Sequence, residues 1–201
     1  MTALTRSVWP IDTSSPVLEL TVGELLQQAA AEAADRTALV SVAPDRSART
    51  WTYAQLLDDA ERAAAWLLDR FRPGEHIAVW APNVPEWLVL QYGAALGGLV
   101  LVTTNPALRG PELEYALDRS HAAGVFYTDS FRGTDMAALI GAVLPAVPAV
   151  RESVVFEGWL EQVRRTAKRS RLPVVDPRSA TQIQFTSPAG RSRRYSRTGR
   201  W

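Results

Sequence analysis

Cysteine is absent from the 201 residues, which removes disulfides, thiolate nucleophiles and cysteine-held metals from consideration. Histidine occurs twice, at His76 and His121, without the spacing of a metal-binding pair. Lysine occurs once, at Lys168, so positive charge rests almost wholly on arginine. Long hydrophobic runs are also missing. The longest apolar stretch, residues 88–102, includes Gln91 and falls short of the ~20 residues that a membrane-spanning helix needs. No basic-then-apolar leader follows Met1. These absences set the expectation of a soluble, cytoplasmic protein with no membrane partner and no metal site.

What is present suffices for one hydrophobic core: 47% of the residues are hydrophobic, and neither a linker nor an internal repeat divides the first 187. The formal charge of +1 hides an asymmetry. Residues 188–201 hold five arginines and no acid; the rest has 17 basic against 21 acidic side chains, a net charge of −4. The expected organisation is an N-terminal arm over residues 1–20, a globular unit over 21–187 and an Arg-rich tail over 188–201.

The centre of the chain alternates strand and helix signals. Residues 77–80, 99–102 and 125–127 are short apolar runs of strand length. Between the first two, Asn83 is a candidate helix cap with Glu86 in the first turn, and Gly97-Gly98 a helix stop. Pro111 opens the next helix, where its missing N–H costs nothing. Strand, helix, strand, helix, strand is the pattern of a parallel sheet with crossover helices, an α/β fold. Upstream, Thr21–Glu24 and Thr52–Gln55 are capping boxes. The first opens a helix with a stripe of Leu25, Leu26, Ala29 and Ala33; the second one with Leu56, Leu57, Ala60, Ala64, Leu67 and Leu68. Residues 38–42 and 48–51, joined by a Pro44-Asp45 turn, suggest a hairpin. Downstream, Thr134 is a candidate cap for a helix that Pro145 stops. Residues 153–156 suggest a strand, 159–168 a helix, 172–179 a Pro-containing loop and 181–186 a strand.

The block Trp80-Ala81-Pro82-Asn83-Val84-Pro85-Glu86-Trp87, with Gly93 to Val102, Asn105-Pro106 and Glu112-Leu113-Glu114-Tyr115, resembles the N-terminal part of AMP-forming acyl-CoA synthetases. These belong to the adenylate-forming ligase superfamily, and the resemblance runs in order from about Thr21 to Ser187. It implies a partial N-terminal subdomain of that fold. It also implies, for the intact family, a two-step reaction: ATP and a carboxylic acid give an acyl-adenylate, and coenzyme A then takes the acyl group, with magnesium accompanying ATP. The central block most resembles the ligases of fatty and medium-chain acids, whose acid-binding pocket lies downstream.

Gln182 to Ser187 matches the lead-in to the family's phosphate loop, which continues Gly-Thr-Thr-Gly and then Pro-Lys-Gly. Thr186 and Ser187 match its first two positions and are the only candidate nucleotide-binding residues. The glycines of such a loop let backbone N–H groups reach the phosphates, and its lysine adds positive charge. Here Pro188 follows, which offers no N–H and holds Ser187 extended. No catalytic residue is expected. One coding of residues 193–201, read from its third base, gives Ala-Val-Leu-Ser-His-Arg-Ala-Leu, a common family continuation. A frame-shifting deletion inside the loop accounts for that echo, so the expected protein is a truncated, inactive ligase fragment that requires no cofactor and needs missing segments to bind small-molecule substrates. The alternatives are a non-catalytic interaction module and, last, a nucleic-acid or acidic-partner binder acting through the Arg-rich tail with Tyr195 and Trp201.

Other polar residues have ordinary readings. His76 suits a surface strand start. Trp80 and Trp87 suit core packing. Asp58, Asp59 and Glu61 suit a solvated helix face, and Arg164, Arg165, Lys168, Arg169 and Arg171 a solvated helix end. Ending the subdomain near its sixth strand is expected to leave apolar surface or an open sheet edge, and so to favour self-association.

Overall fold

A computed structural model describes residue 14 and residues 18–43, 46–185 and 193–197. Its framework follows from the alternation in the sequence. The elements are α1 (Val22–Ala33), β1 (Thr37–Val42), β2 (Ala48–Thr52), α2 (Tyr53–Leu68), β3 (His76–Trp80), α3 (Pro85–Leu96), β4 (Val100–Thr104) and α4 (Gly110–Arg119). Next come β5 (Ala122–Tyr127), β6 (Ser130–Phe131), β7 (Thr134–Asp135), α5 (Met136–Val143), β8 (Glu152–Val155), α6 (Trp159–Arg165), β9 (Ala180–Phe185) and β10 (Arg193–Arg197). The main sheet has the order β10-β9-β4-β3-β5-β8. All neighbours from β9 to β8 are parallel; β10 is antiparallel to β9, with Arg194 opposite Gln184. The expected hairpin is present as β1 and β2; its Pro44-Asp45 turn lies outside the described residues, as does most of the expected arm.

Both capping boxes form. Thr21 Oγ1 accepts from the Glu24 N–H at 3.1 Å while the Glu24 carboxylate accepts from the Thr21 N–H at 2.7 Å, and Thr52 with Gln55 repeats the arrangement. Other helix starts differ from expectation. Val84, not Asn83, is the N-cap of α3, because Pro85 occupies the first turn and drives its predecessor to extended backbone. Asp135, not Thr134, caps α5, its Oδ1 accepting from the Ala138 N–H at 2.8 Å. Thr134 instead pairs with Phe131 in the small β6–β7 ribbon. The helix ends at Val143, and Pro145 sits in one 3-10 turn beyond it. Helix α6 ends at Arg165, short of Lys168, where Thr166 turns extended. On α1 the buried stripe is Gly23, Leu26 and Ala30, and Leu25 faces solvent at 50% exposure.

Two apolar layers sandwich the sheet. Ile77, Val79, Leu101 and Phe126 face α1, α2, α3 and α6, whereas Ala78, Trp80, Val102, Val125 and Ile183 face α4 and α5. The first layer is unusually close. A Cβ on Gly93 of α3 would lie 2.7 Å from the Ala63 Cβ of α2, so this glycine is required by helix contact. Beside it, the rings of Trp66, Phe126, Phe156 and Trp159 pack mostly edge-to-face with centroids 5.5–6.1 Å apart. Gly97 keeps helical dihedrals, and Gly98, at φ +69°, makes the left-handed step that turns α3 into β4.

Candidate functional site at the carboxyl edge of the sheet

In open parallel sheets, ligands bind outside the carboxyl ends of the strands, where successive connections leave for opposite faces. That reversal occurs around β3. The chain leaves β3 for α3 on one face, and leaves β4 for α4 on the other, before returning as β5 on the far side of β3. The carboxyl-edge loops are cross-tied. Trp80 Nε1, at the end of β3, donates to the Asn105 carbonyl at 3.1 Å, and Thr104 Oγ1 donates to the Val79 carbonyl at 2.9 Å. Asn105 Oδ1 accepts from the Ala107 N–H at 2.9 Å, which shapes the turn into α4. Arg109 reaches Thr134 Oγ1 at 2.9 Å, and the Asp129 N–H donates to both Glu157 oxygens at 3.1 Å. Trp80 is therefore a buried packing residue with one structural hydrogen bond, and Trp87 packs against the core, as expected of both.

Strand β9 brings Gln182 to Phe185, expected from the sequence to lead into a phosphate loop, to this edge. Ile183 is fully buried opposite Val102, Gln182 Nε2 lies 3.3 Å from Thr103 Oγ1, and the Phe185 ring meets Tyr115 of α4 edge-on at 6.5 Å. Tyr115, 47% exposed, was not singled out from the sequence as part of the edge; its position in the Glu-Leu-Glu-Tyr block was the available signal. Thr186 and Ser187, the two candidate nucleotide-binding residues, lie outside the described residues. A cavity of about 420 Å³ beside this edge is lined by Asp129, Ser130, Thr134 and Asp135, yet the Asp129 carbonyl and the Asp135 carboxylate are already engaged by the first amides of α5. Among the described residues no three His, Asp or Glu side chains are grouped to hold a metal ion.

The charged groups read as solvated faces are engaged with each other. Asp59 lies inside the apolar stripe of α2, with its side chain 5% exposed. Its carboxylate accepts from Trp51 Nε1 at 2.8 Å and, from Arg164, Nε at 2.9 Å and Nη2 at 2.7 Å. The signal in the sequence was its position three residues after Leu56 and four before Ala63, where a charge requires partners. Hydrogen bonding to Asp59 raises the Arg164 guanidinium above its ordinary value against the opposing effect of burial. Lys168 Nζ lies 2.6 Å from Asp58 and 2.8 Å from Glu61, and Arg169 lies 2.6 Å from Asp69. Burial acts to raise the Asp58 carboxyl, but hydrogen bonds from Lys168 and Arg62 and their charges outweigh it and hold it low. Those same bonds, to Asp58 first and Glu61 second, raise Lys168. The cavity of about 590 Å³ beside Asp59 is thus lined by charges that already neutralise one another. His76 is half-buried and not a free surface histidine: its Nδ1 donates to the Ser120 carbonyl at 2.5 Å.

Fold and edge together define an α/β subdomain of the kind that presents a ligand-binding loop after an edge-side parallel strand. The chain belongs to the AMP-binding enzyme family, which it matches over residues 26–188. It is 38% identical over 130 residues to the putative acyl-CoA synthetase YngI of Bacillus subtilis (strain 168), covering 64% of this chain and 23% of that protein. It is 32% identical over 134 residues to the mitochondrial medium-chain acyl-CoA ligase ACSF2 of Mus musculus, covering 66% and 21%. Among solved structures, the Mycobacterium tuberculosis fatty acyl CoA synthetase superposes with a TM-score of 0.74 at 26% identity, over 89% of this chain and 34% of the other. The chain thus spans less than a quarter of the length of these two curated relatives.

Proposed function

We propose that this chain is the first subdomain of an acid-activating ligase of the acyl-CoA synthetase type, and that as it stands it does not adenylate an acid. The parent reaction joins a carboxylic acid to the adenylyl group of ATP and then passes the acyl group to coenzyme A. The names of the relatives favour a fatty acid, of medium chain length in the ACSF2 case. The proposed setting is the cytoplasm, although the ACSF2 relative is mitochondrial. The observation that carries the reading is β9: a parallel strand beside β4, ending at the sheet's carboxyl edge on the lead-in Gln182 to Phe185.

The chain's own contribution to such a reaction is placement. The Trp80–Asn105 and Thr104–Val79 bonds fix the ends of β3 and β4, against which β9 aligns. Stabilising charge on a transferring phosphate needs amide donors held by glycine-permitted turns together with a fixed cation. After Ser187 the sequence supplies Pro188, Ala189 and Gly190 in place of that pattern. Losing one such donor costs ~10²–10³ in rate. Arg191, Arg193 and Arg194 add charge without that geometry. The residues from 188 onward are, in this proposal, an out-of-frame continuation.

The test of inactivity is acid-dependent exchange of pyrophosphate into ATP by the purified chain, with fatty, aromatic and short-chain acids. Exchange above a no-enzyme control that persists through further purification overturns it. The frame proposal is tested separately by the nucleotide sequence beyond codon 187. A second frame lacking a glycine-rich remnant and later ligase motifs defeats it.

A further inference from the structure

The connection from α6 to β9 has to travel from the carboxyl edge of the sheet to the amino edge, because β9 is parallel to β4. It does so alongside α2, with repeated polar contacts to that helix. Arg164 engages Asp59, the Thr166 carbonyl accepts from Arg62 at 2.9 Å, Lys168 bridges Asp58 and Glu61, and Arg169 reaches Asp69 near the end of α2. Residues 164–171 contain five cations and no acid. Apolar anchoring is slight: between Thr166 and Ser179 only the half-buried Leu172 joins the partly buried apolar residues on the core, while Val174 is 87% exposed. Beyond this connection, β9 is held to β4 over three register pairs, carries β10 on its outer side, and contributes one fully buried side chain, Ile183, with Ala180 and Phe185 partly buried beside it.

We propose that residues 166–174 form an ionic strap on α2, and that strap and β9, with β10 paired to it, detach from β4 together as one unit when the strap charges are screened. The anchor at Asp59 and Arg164 is half-buried and persists in salt. The outer pairs at Lys168 and Arg169 are exposed on both sides, so added salt weakens them selectively. Local opening of such units is ordinary for elements held by few buried contacts. What distinguishes this one is that its latch is charge, so ionic strength sets how firmly the strand leading to Thr186 and Ser187 is seated.

The experiment is native-state hydrogen exchange on the full chain at about 0.05 and about 1 M NaCl, where the screening length falls from well above the 2.6–2.8 Å spacing of the strap pairs to about that spacing. Amides of β9 are compared with those of β3. The expected result is a loss of β9 protection of about tenfold or more with β3 unchanged, a difference that marks sub-global opening. Arg169→Asp should reproduce that loss at low salt, and Arg169→Asp combined with Asp69→Arg should restore protection. Equal salt responses of β9 and β3, or a reversed pair no better than the single substitution, overturn the proposal.

Discussion

Removing Arg164 should be among the most damaging single changes on the surface of this chain. Arg164→Ala strands the Asp59 carboxylate, whose side chain is 5% exposed, with Trp51 Nε1 as its one remaining donor among those described. Breaking a buried ion pair by deleting one partner costs ~3–5 kcal/mol. Arg164 itself is 48% exposed, so solvent already screens part of the interaction, and the lower end, about 3 kcal/mol, applies. Asp59→Ala works differently. It releases a half-exposed guanidinium to water and leaves the Trp51 N–H as the buried orphan, at ~1–3 kcal/mol. Once Asp59 is gone, deleting Arg164 as well adds little. The double variant should therefore cost about 2 kcal/mol where the single costs sum to about 5, a coupling of about 3 kcal/mol, at the top of the range for residues in direct contact. Urea unfolding followed by tryptophan emission measures all four corners of the cycle. Costs that add to within about 0.5 kcal/mol would refute the assignment of Asp59 as a buried, shared acceptor.

Other perturbations test other layers. Gly93→Ala places a methyl 2.7 Å from the Ala63 Cβ, so thermal unfolding should show about 1–3 kcal/mol of overpacking cost, despite the ~1 kcal/mol gain in helix propensity. Asp58 and Glu75 have carboxyls held low in the folded protein, by Lys168 with Arg62 and by Arg151, in each case against an opposing effect of burial. Their stabilising contribution is therefore present above the ordinary carboxylate range, about pH 4, and is lost as pH falls through the lowered folded values. Asp58→Asn with Glu75→Gln should flatten the loss of stability on acidification. Lys168 titrates higher when folded, so its contribution is full at neutral pH and fades only in strong alkali. The isolated chain should also self-associate through apolar surface such as Val40 and Val42, with sedimentation showing species above the monomer; a single sharp monomer boundary counts against it.

The sheet was legible because its signals are local. Apolar runs of strand length, Gly97-Gly98 and Pro111 each act through dihedral preference or periodicity within a few residues. The parallel pairing followed from the crossover helices between them. The misassigned caps show the limit of that reading. Asn83 and Thr134 have the chemistry of N-caps, but Pro85 and the short β6–β7 ribbon moved each start by one residue. The charge pairing was less legible still, since Asp59 and Arg164 are 105 residues apart and nothing local shows that they meet. Asp59 lay within the α2 stripe and gave a hint; Lys168 and Arg169 lie beyond α6 and gave none. At the candidate site the lead-in was readable as a motif, yet Tyr115 reaches β9 only through the sheet order, which no short-range pattern encodes.

Stability and chemistry separate along the strand direction in this subdomain. Close helix contact at Gly93 and Ala63, the aromatic cluster around Phe126 and the Asp59 pair all belong to the face covered by α2, α3 and α6. None of these depends on the residues after Phe185. A sequence can therefore keep every determinant of the sheet while the loop that the sheet presents is replaced, and the fold carries no information about whether that loop works. The ties at the carboxyl edge make the same point from the other side. Trp80 to Asn105 and Thr104 to Val79 hold strand ends at positions a loop needs, but they are satisfied within the sheet and persist without it. Placing a glycine-rich loop at residues 188–192, with β10 kept on β9, should accordingly leave the unfolding midpoint of residues 21–185 within a few degrees of its present value, since loop changes away from buried contacts shift stability by only about 0.5 kcal/mol. A large shift in either direction, measured by thermal unfolding of matched chains, would mean that the segment between β9 and β10 itself sets stability and that stability and chemistry are coupled after all.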